Sequence, residues 1–194
     1  MVNIALVGCN GKMGKAVTSA VQSRNDCEIV FGADPFGTPA YDYPVFESLA
    51  VSDKKADVII DFSNPASLDD ILAYALEKKI PCVLCTTGYS PEQVEKIKKA
   101  SESVAVFYSG NMSLGINLLI ELSKEAAKIL SAADFDIEIV EKHHNQKIDA
   151  PSGTALALAD SMNEALDEAY TYTYDRSQKR KKRDKYEIGL SSVR

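Results

Sequence analysis

Val2 to Val7 is an almost unbroken apolar run, the pattern of a strand covered on both faces in a parallel sheet. Ala16, Val17, Ala20 and Val21 then share one helical stripe, and Glu28 to Ala33 reads as a second strand. A Pro/Tyr-rich stretch, Pro35 to Lys55, interrupts the pattern and holds a short strand signal around Pro44 to Phe46. Beyond it, Val58 to Asp61, Cys82 to Cys85 and Val104 to Phe107 read as strands, and Pro65 to Lys78 and Pro91 to Ala100 as helices. Strands alternating with helices at this spacing predict a parallel, doubly wound α/β sheet of the Rossmann type, whose ligands bind beyond the carboxyl ends of the strands.

After Asn111 the pattern changes. Gly115 to Leu130 predicts a long one-sided helix with Leu118, Leu122, Ala126, Ile129 and Leu130 on its apolar face. Phe135 to Ile139 alternates strictly, which predicts a sheet with one wet face and a second, α+β domain. The expected boundaries are residues 1–110 and 111–194. Extending the alternation puts Glu141 and His143 on the buried-side parity and His144 opposite, so the two histidines should have different tasks. A helix with Ala155, Leu158, Ala159, Met162 and Leu166 on one stripe follows Ser152, and a last strand is expected around Tyr186 to Leu190.

At 194 residues and 45% hydrophobic content the chain can bury a real core. No apolar run approaches the ~20 residues that span a bilayer, and the N-terminus enters a strand without a signal-like segment, so a cytoplasmic protein without membrane contact is expected. A net charge of −6 argues against nucleic-acid binding; the basic run Lys179 to Arg183 reads first as a solvated loop and second as an anion-facing one. Four cysteines, at 9, 27, 82 and 85, show no disulfide framework. Cys82 and Cys85 sit in a strand, where positions three apart face opposite sides, so neither redox chemistry nor metal binding is expected there.

Candidate chemistry lies in two places. Gly8-Cys9-Asn10-Gly11-Lys12-Met13-Gly14 forms a strand-to-helix turn, where glycines allow close approach of a pyrophosphate, and Asp34, twenty residues after Gly14, stands where a carboxylate accepts hydrogen bonds from a ribose. The loops Phe62-Ser63-Asn64, Thr86-Thr87-Gly88 and Ser109-Gly110-Asn111-Met112 follow later strands and are mostly small or polar, as a cofactor crevice requires. The second place is Glu141 to Thr154, which holds both histidines of the chain, His143 and His144, with Lys147 nearby. There Ser152-Gly153-Thr154 opens a helix whose free N–H groups attract a carboxylate. Together the two regions suggest an oxidoreductase acting on a small anionic substrate, with His143 or Lys147 as the acid.

The whole stretch from Glu141 to Ala155 resembles the signature of the 4-hydroxy-tetrahydrodipicolinate (dihydrodipicolinate) reductase family. Gly8 to Gly14, Asp61-Phe62-Ser63, Thr86-Thr87-Gly88 and Asn111 to Gly115 fall in matching order. The resemblance implies that NADH or NADPH reduces a cyclic imine dicarboxylate on the diaminopimelate route to lysine. It implies His143 as the acid/base residue and Lys147 as proton donor, with His144, Ser152, Gly153 and Thr154 contacting the substrate. Gly8, Cys9, Asn10, Gly11, Lys12, Met13, Asp34, Cys85, Thr86, Thr87, Ser109, Gly110, Asn111 and Met112 would contact the cofactor. It also implies a homo-oligomer, commonly a tetramer built through the second domain's sheet. Three departures stand out. Lys12 replaces a usual arginine, Cys85 replaces a usual glycine, and the chain ends at Arg194 where relatives continue, so the second domain is expected to be incomplete. A nucleotide-binding remnant without turnover, and another Rossmann dehydrogenase of an amino-acid-derived substrate, are the rival expectations.

Overall fold

The computed structural model describes residues 1–36 and 41–194, and the chain forms two compact units, Met1–Gly110 and Asn111–Arg194. The first unit runs β1 (Val2–Val7), α1 (Lys12–Gln22), β2 (Cys27–Ala33), β3 (Val45–Phe46), β4 (Val58–Asp61), α2 (Leu68–Lys78), β5 (Cys82–Leu84), α3 (Pro91–Ser101) and β6 (Val106–Tyr108). Its six strands lie in the order β3-β2-β1-β4-β5-β6, every neighbouring pair parallel. The chain moves outward from β1 through β2 to β3 and then returns to place β4 on the other side of β1. That reversal is a topological switch point, where diverging connections leave a crevice at the carboxyl ends of the strands.

Ile4, Ala5, Leu6 and Val7 are all buried, as an unbroken apolar run in a covered parallel strand should be. The helices begin where their caps allow. Ser90 and Gln93 form a reciprocal capping box for α3, and Asn64 caps a single 3-10 turn, Pro65–Ser67, that leads into α2. The last strand begins later than expected because the Val104 N–H still donates to the Ala100 carbonyl at the end of α3.

The buried face of α1 also differs from expectation. Ala16 and Ala20 are exposed, while Gly14 and Thr18 are buried. A Cβ on Gly14 would lie 2.3 Å from the Gly8 oxygen and 2.5 Å from Cys9 Cα. The helix therefore rests directly on the turn before it, and the face of closest approach is one with no side chain. One turn on, the Thr18 hydroxyl bonds the Gly14 carbonyl and the Tyr43 hydroxyl at 2.9 and 2.8 Å.

The second unit contains α4 (Leu114–Ala132), β7 (Ile137–Lys142), α5 (Gly153–Glu164), β8 (Thr171–Tyr174) and β9 (Glu187–Val193). Its sheet has the order β7-β9-β8 and both pairs are parallel. Ile137 and Ile139 pack toward a core of Ala127, Ala155, Ala159, Met162, Ile188 and Leu190, while Glu138 and Val140 are exposed. The strict alternation thus marks a one-sided sheet, here in a parallel arrangement rather than the antiparallel one where it is commoner.

The apolar stripe expected to bury α4 is exposed: Leu118, Leu122, Ala126, Ile129 and Leu130 all lie at the surface, and Ala127 is buried instead. Ala127 shares its cluster with Ala155 and Ala159 of α5, so the contact is made through small residues that let the helices approach closely.

The basic run is likewise more than a solvated loop. Arg183 pairs with Asp136 at 3.1 Å and with Glu138, and donates to the Ile137 and Glu187 carbonyls. Arg176 pairs with the buried Glu187. The crossover between β8 and β9 is thereby latched to the sheet by charges. Gly189 leaves room for it, because a Cβ there would overlap the Glu138 carboxylate.

Candidate active site

Four of the expected nucleotide residues, Gly8, Asn10, Gly11 and Asp34, converge on one cavity at the switch point of the first unit. Gly8 has φ +74°, and a Cβ on it would lie 2.6 Å from the Phe62 oxygen and 2.9 Å from Ser63 Cα. Only glycine meets both demands. Gly11 is the N-cap of α1, whose first turn carries neither a side-chain cap nor an acidic residue, leaving donors and the positive dipole end for an anion. Asp34 follows β2, accepting the Asn10 N–H at 3.0 Å and the Phe36 N–H at 2.9 Å, one on each carboxylate oxygen. Each oxygen retains a lone pair for a ribose hydroxyl. A cavity of about 410 Å³ opens here, with Gly8, Asn10, Gly11, Asp34, Glu47 and Asp70 in its wall. The turn without room for a Cβ, the uncapped helix start and the carboxylate together fit a dinucleotide.

Several expected contacts are placed differently in detail. Cys9 and Cys85 are buried. Burial, with Asp34 beside Cys9 and Asp61 beside Cys85, pushes both thiols up to about 11. Cys9 therefore presents only its backbone, and Cys85, whose Sγ is 4.0 Å from the Val83 oxygen, presents no reactive thiolate. Lys12, Met13, Thr87, Gly110 and Met112 are exposed, whereas Thr86 is buried with its hydroxyl unpaired among the described residues. Ser109 is tied to the sheet by its N–H on the Leu84 carbonyl. Asp61 was not expected to act. It is fully buried, accepts the Ser63 N–H at 2.9 Å and the Tyr89 hydroxyl at 3.1 Å, and so holds the loop that bounds Gly8.

In the second unit the end of β7 delivers the histidines with the expected parity: His143 is half-buried and His144 exposed. The His143 N–H donates to the Val193 carbonyl at 3.0 Å, continuing the pairing with β9, and the chain then turns so that the Lys147 N–H reaches the His144 carbonyl at 3.1 Å. Two carboxylates gather the groups around the start of α5. Glu141 contacts His143 Nδ1 through one oxygen and accepts the Ser152 N–H at 3.2 Å through the other. Asp149 contacts Lys147 Nζ at 2.8 Å through one oxygen and the Gly153 N–H at 3.3 Å through the other. Lys147 holds the Asp149 carboxyl below its ordinary range. Asn111 Nδ2 meets Thr154 Oγ1 at 3.3 Å, joining a residue expected at the cofactor to one expected at the substrate.

Ser152 departs from its expected place among the substrate contacts. It is buried, its hydroxyl caps Ala155 N–H at 3.2 Å and its own N–H is taken by Glu141, so it builds the helix start. Glu141, Asp149 and Arg194, which contacts Glu141 at 2.9 Å, were missed as members of the cluster. The buried parity of Glu141 was the available signal for the first, and the two-residue spacing from Lys147 for the second.

Models of the N-terminal and C-terminal parts of dihydrodipicolinate reductase match residues 2–112 and 115–194. The chain belongs to the dihydrodipicolinate reductase family. Two relatives are 4-hydroxy-tetrahydrodipicolinate reductases: that of Clostridium tetani is 50% identical and that of Caldanaerobacter subterraneus 47%, each over all of this chain and 75% or 76% of the relative. A dipicolinate-bound dihydrodipicolinate reductase from Paenisporosarcina sp. TG-14 superposes with a TM-score of 0.71 at 26% identity, covering 100% of this chain and 79% of that one. The two matched parts of the dihydrodipicolinate reductase family nearly coincide with the two compact units. Among the described residues, no cluster of three or more His, Cys, Asp or Glu side chains could hold a metal, and no helix is long and apolar enough to cross a membrane.

Proposed function

We propose that the chain reduces 4-hydroxy-tetrahydrodipicolinate to tetrahydrodipicolinate with NADH or NADPH, a step of lysine biosynthesis through diaminopimelate. The observation that carries this reading is the gathering of His143, Lys147 and the α5 N-terminus at the end of β7, in a chain whose relatives bear that enzyme's name. A lysine beside helix N–H groups selects a carboxylate, and a histidine beside them supplies or accepts a proton near neutral pH. The dipicolinate bound to the Paenisporosarcina enzyme is a flat dicarboxylate of the same class.

In this reading residues 1–110 hold the dinucleotide and residues 111–194 the substrate. Bound reduced nicotinamide would supply the hydride. Gly8, Gly11 and the α1 N-terminus hold the pyrophosphate, and Asp34 accepts from the adenosine ribose. His144, Gly153 and Thr154 hold the substrate carboxylates, Lys147 donates the proton, and His143 acts as the acid/base group. Asp149 occupies Lys147 and the Gly153 N–H in the structure, so a substrate carboxylate exchanges one anion for another at that cradle rather than filling a bare charge.

The test is loss of nicotinamide absorbance with freshly generated substrate. Turnover with either cofactor supports the reading; normal cofactor binding without turnover overturns it and leaves a nucleotide-binding protein. NADH is the expected preference. The adenosine cavity presents Asp34, Glu47 and Asp70 and no lysine or arginine among its described lining residues, which disfavours an added 2′-phosphate. A ratio of kcat/KM values favouring NADPH would contradict this.

A homo-oligomer and a cytoplasmic location belong to the same proposal. Leu118, Leu122 and Ile129 of α4, and Val140 and Val193 on the open face of the sheet, are exposed apolar side chains of the kind that a subunit interface covers. Val140→Lys should lower the mass measured by light scattering. An unchanged mass would remove the sheet face from the interface. The four cysteines are all free, as a reducing compartment would keep them.

A further inference from the structure

His143 is the reacting group in the proposed mechanism, and only one of its two ring nitrogens can face the reaction while the other meets a neighbouring side chain. Its neighbour on the same side of β7 is Glu141, two residues earlier and brought onto the same face by the strand period. The two side chains meet through Nδ1 and Oε2. Glu141 is itself immobilised: its other oxygen takes the Arg194 guanidinium at 2.9 Å and the Ser152 N–H at 3.2 Å. The Glu141 side chain is only 10% exposed, compared with 35% for His143, so the carboxylate is the inner and more constrained member of the pair. The Arg194 guanidinium, helped by hydrogen bonds from His143 and the Ser152 N–H, holds the carboxyl down at about 2, so it is an anion at any working pH.

We propose that Glu141, anchored by Arg194 and the α5 N-terminus, is the positioning residue that holds His143 as its Nδ1–H tautomer and leaves Nε2 as the nitrogen of proton transfer. An ionised carboxylate has only acceptors, so Nδ1 must be the donor whenever the pair is formed. Locking both ring orientation and tautomer spares the transition state the cost of selecting them, as carboxylate partners do for histidines elsewhere. His144 is arranged the opposite way. Its Nδ1 accepts the Gln146 N–H at 3.2 Å, so its proton sits on Nε2. Adjacent histidines are thus held in opposite tautomers, one for chemistry and one for binding. The inference rests on the proposed reductase reading for its catalytic half, but its tautomer half stands alone.

The test begins with long-range proton–nitrogen NMR of the unliganded chain, at a pH where imidazole is neutral and with His144→Gln for assignment. Two histidines give a spectrum simple enough to read. The expected result is Nδ1–H for His143 and Nε2–H for His144; Nε2–H at His143 overturns the proposal, whatever the enzyme assay shows. Glu141→Ala should then shift His143 toward the Nε2–H form and lower kcat by about 10–100-fold, with KM for substrate and the Kd for NADH changed only a few-fold. Glu141→Gln, which keeps an acceptor of the same shape, should recover part of that loss and guards against a variant that fails to fold. Wild-type kcat in both variants, or a loss of kcat with the tautomer unmoved, would also overturn it. A chain with the expected tautomers and no turnover would leave the positioning geometry standing and sink the reductase reading instead.

Discussion

Replacing His143 by Gln is expected to lower kcat by about 10²–10⁴-fold, the range that a positioned acid or base usually contributes. The glutamine fills similar space at the half-buried end of β7 but cannot exchange a proton near neutral pH. The His143 backbone N–H keeps its bond to Val193, so the strand should persist. Lys147→Ala should lower kcat as well, because it removes the proposed proton donor and the cation of the carboxylate cradle. It also leaves Asp149 facing the Gly153 N–H without its counter-ion, which weakens the site for a second anion. Neither residue belongs to the unit that carries the glycine turn and Asp34. NADH affinity, followed by fluorescence titration, should therefore stay within a few-fold of wild type in both variants. A large loss of NADH binding in either would contradict the assignment of separate cofactor and substrate units, and full retention of kcat in His143→Gln would remove it from the chemistry.

Gly8→Ala is expected to act on the other unit and through a different quantity. The added methyl faces two penalties. At φ +74° an L residue is strained by roughly 1–2 kcal/mol, and the new Cβ would lie 2.6 Å from the Phe62 oxygen. Phe62 is held there by its own N–H on the Val7 carbonyl, and Ser63 beside it is held by Asp61, so the neighbour is backbone that cannot rotate away. Relief requires the turn after β1 and the loop after β4 to separate at the switch point. We expect NADH affinity to fall at least about tenfold, with a lowered Tm, since overpacking of this kind costs about 1–3 kcal/mol. Gly153→Ala is the control for stability, because a Cβ there meets nothing within 4 Å. Unchanged NADH binding and Tm in Gly8→Ala would show that the turn is not the close-approach site.

Much of this was legible in the chain. The covered strands of the first unit were visible as apolar runs, the one-sided sheet of the second as an alternation, and the boundaries of α3 and α5 as Ser90-Pro91 and Pro151-Ser152. Gly8 and Asp34 could be placed because strand, turn and helix followed one another within a few residues. What failed was the choice of face. The leucines of α4 made the stronger periodic signal, yet Ala127 is the residue that packs, since closeness between helices rewards small side chains as much as burial rewards large ones. Gly14 and Thr18 displaced Ala16 and Ala20 in α1 for a similar reason, a backbone resting against a turn.

The sequence by itself determined the local chemistry: a glycine turn between strand and helix, and histidine, lysine and helix start within fourteen residues of one another. These are decided by neighbours along the chain, where period and turn propensity act. Only the tertiary structure decided how that chemistry is held. Arg194 reaches Glu141 because β7 and β9 run parallel in a register that pairs Glu141 with Ser192 and Lys142 with Val193. Asp34 reaches the Asn10 N–H because β2 pairs with β1 and ends beside it. Pairings of this kind depend on strand register and chain return, which bring together residues far apart in sequence, and no local pattern carries them.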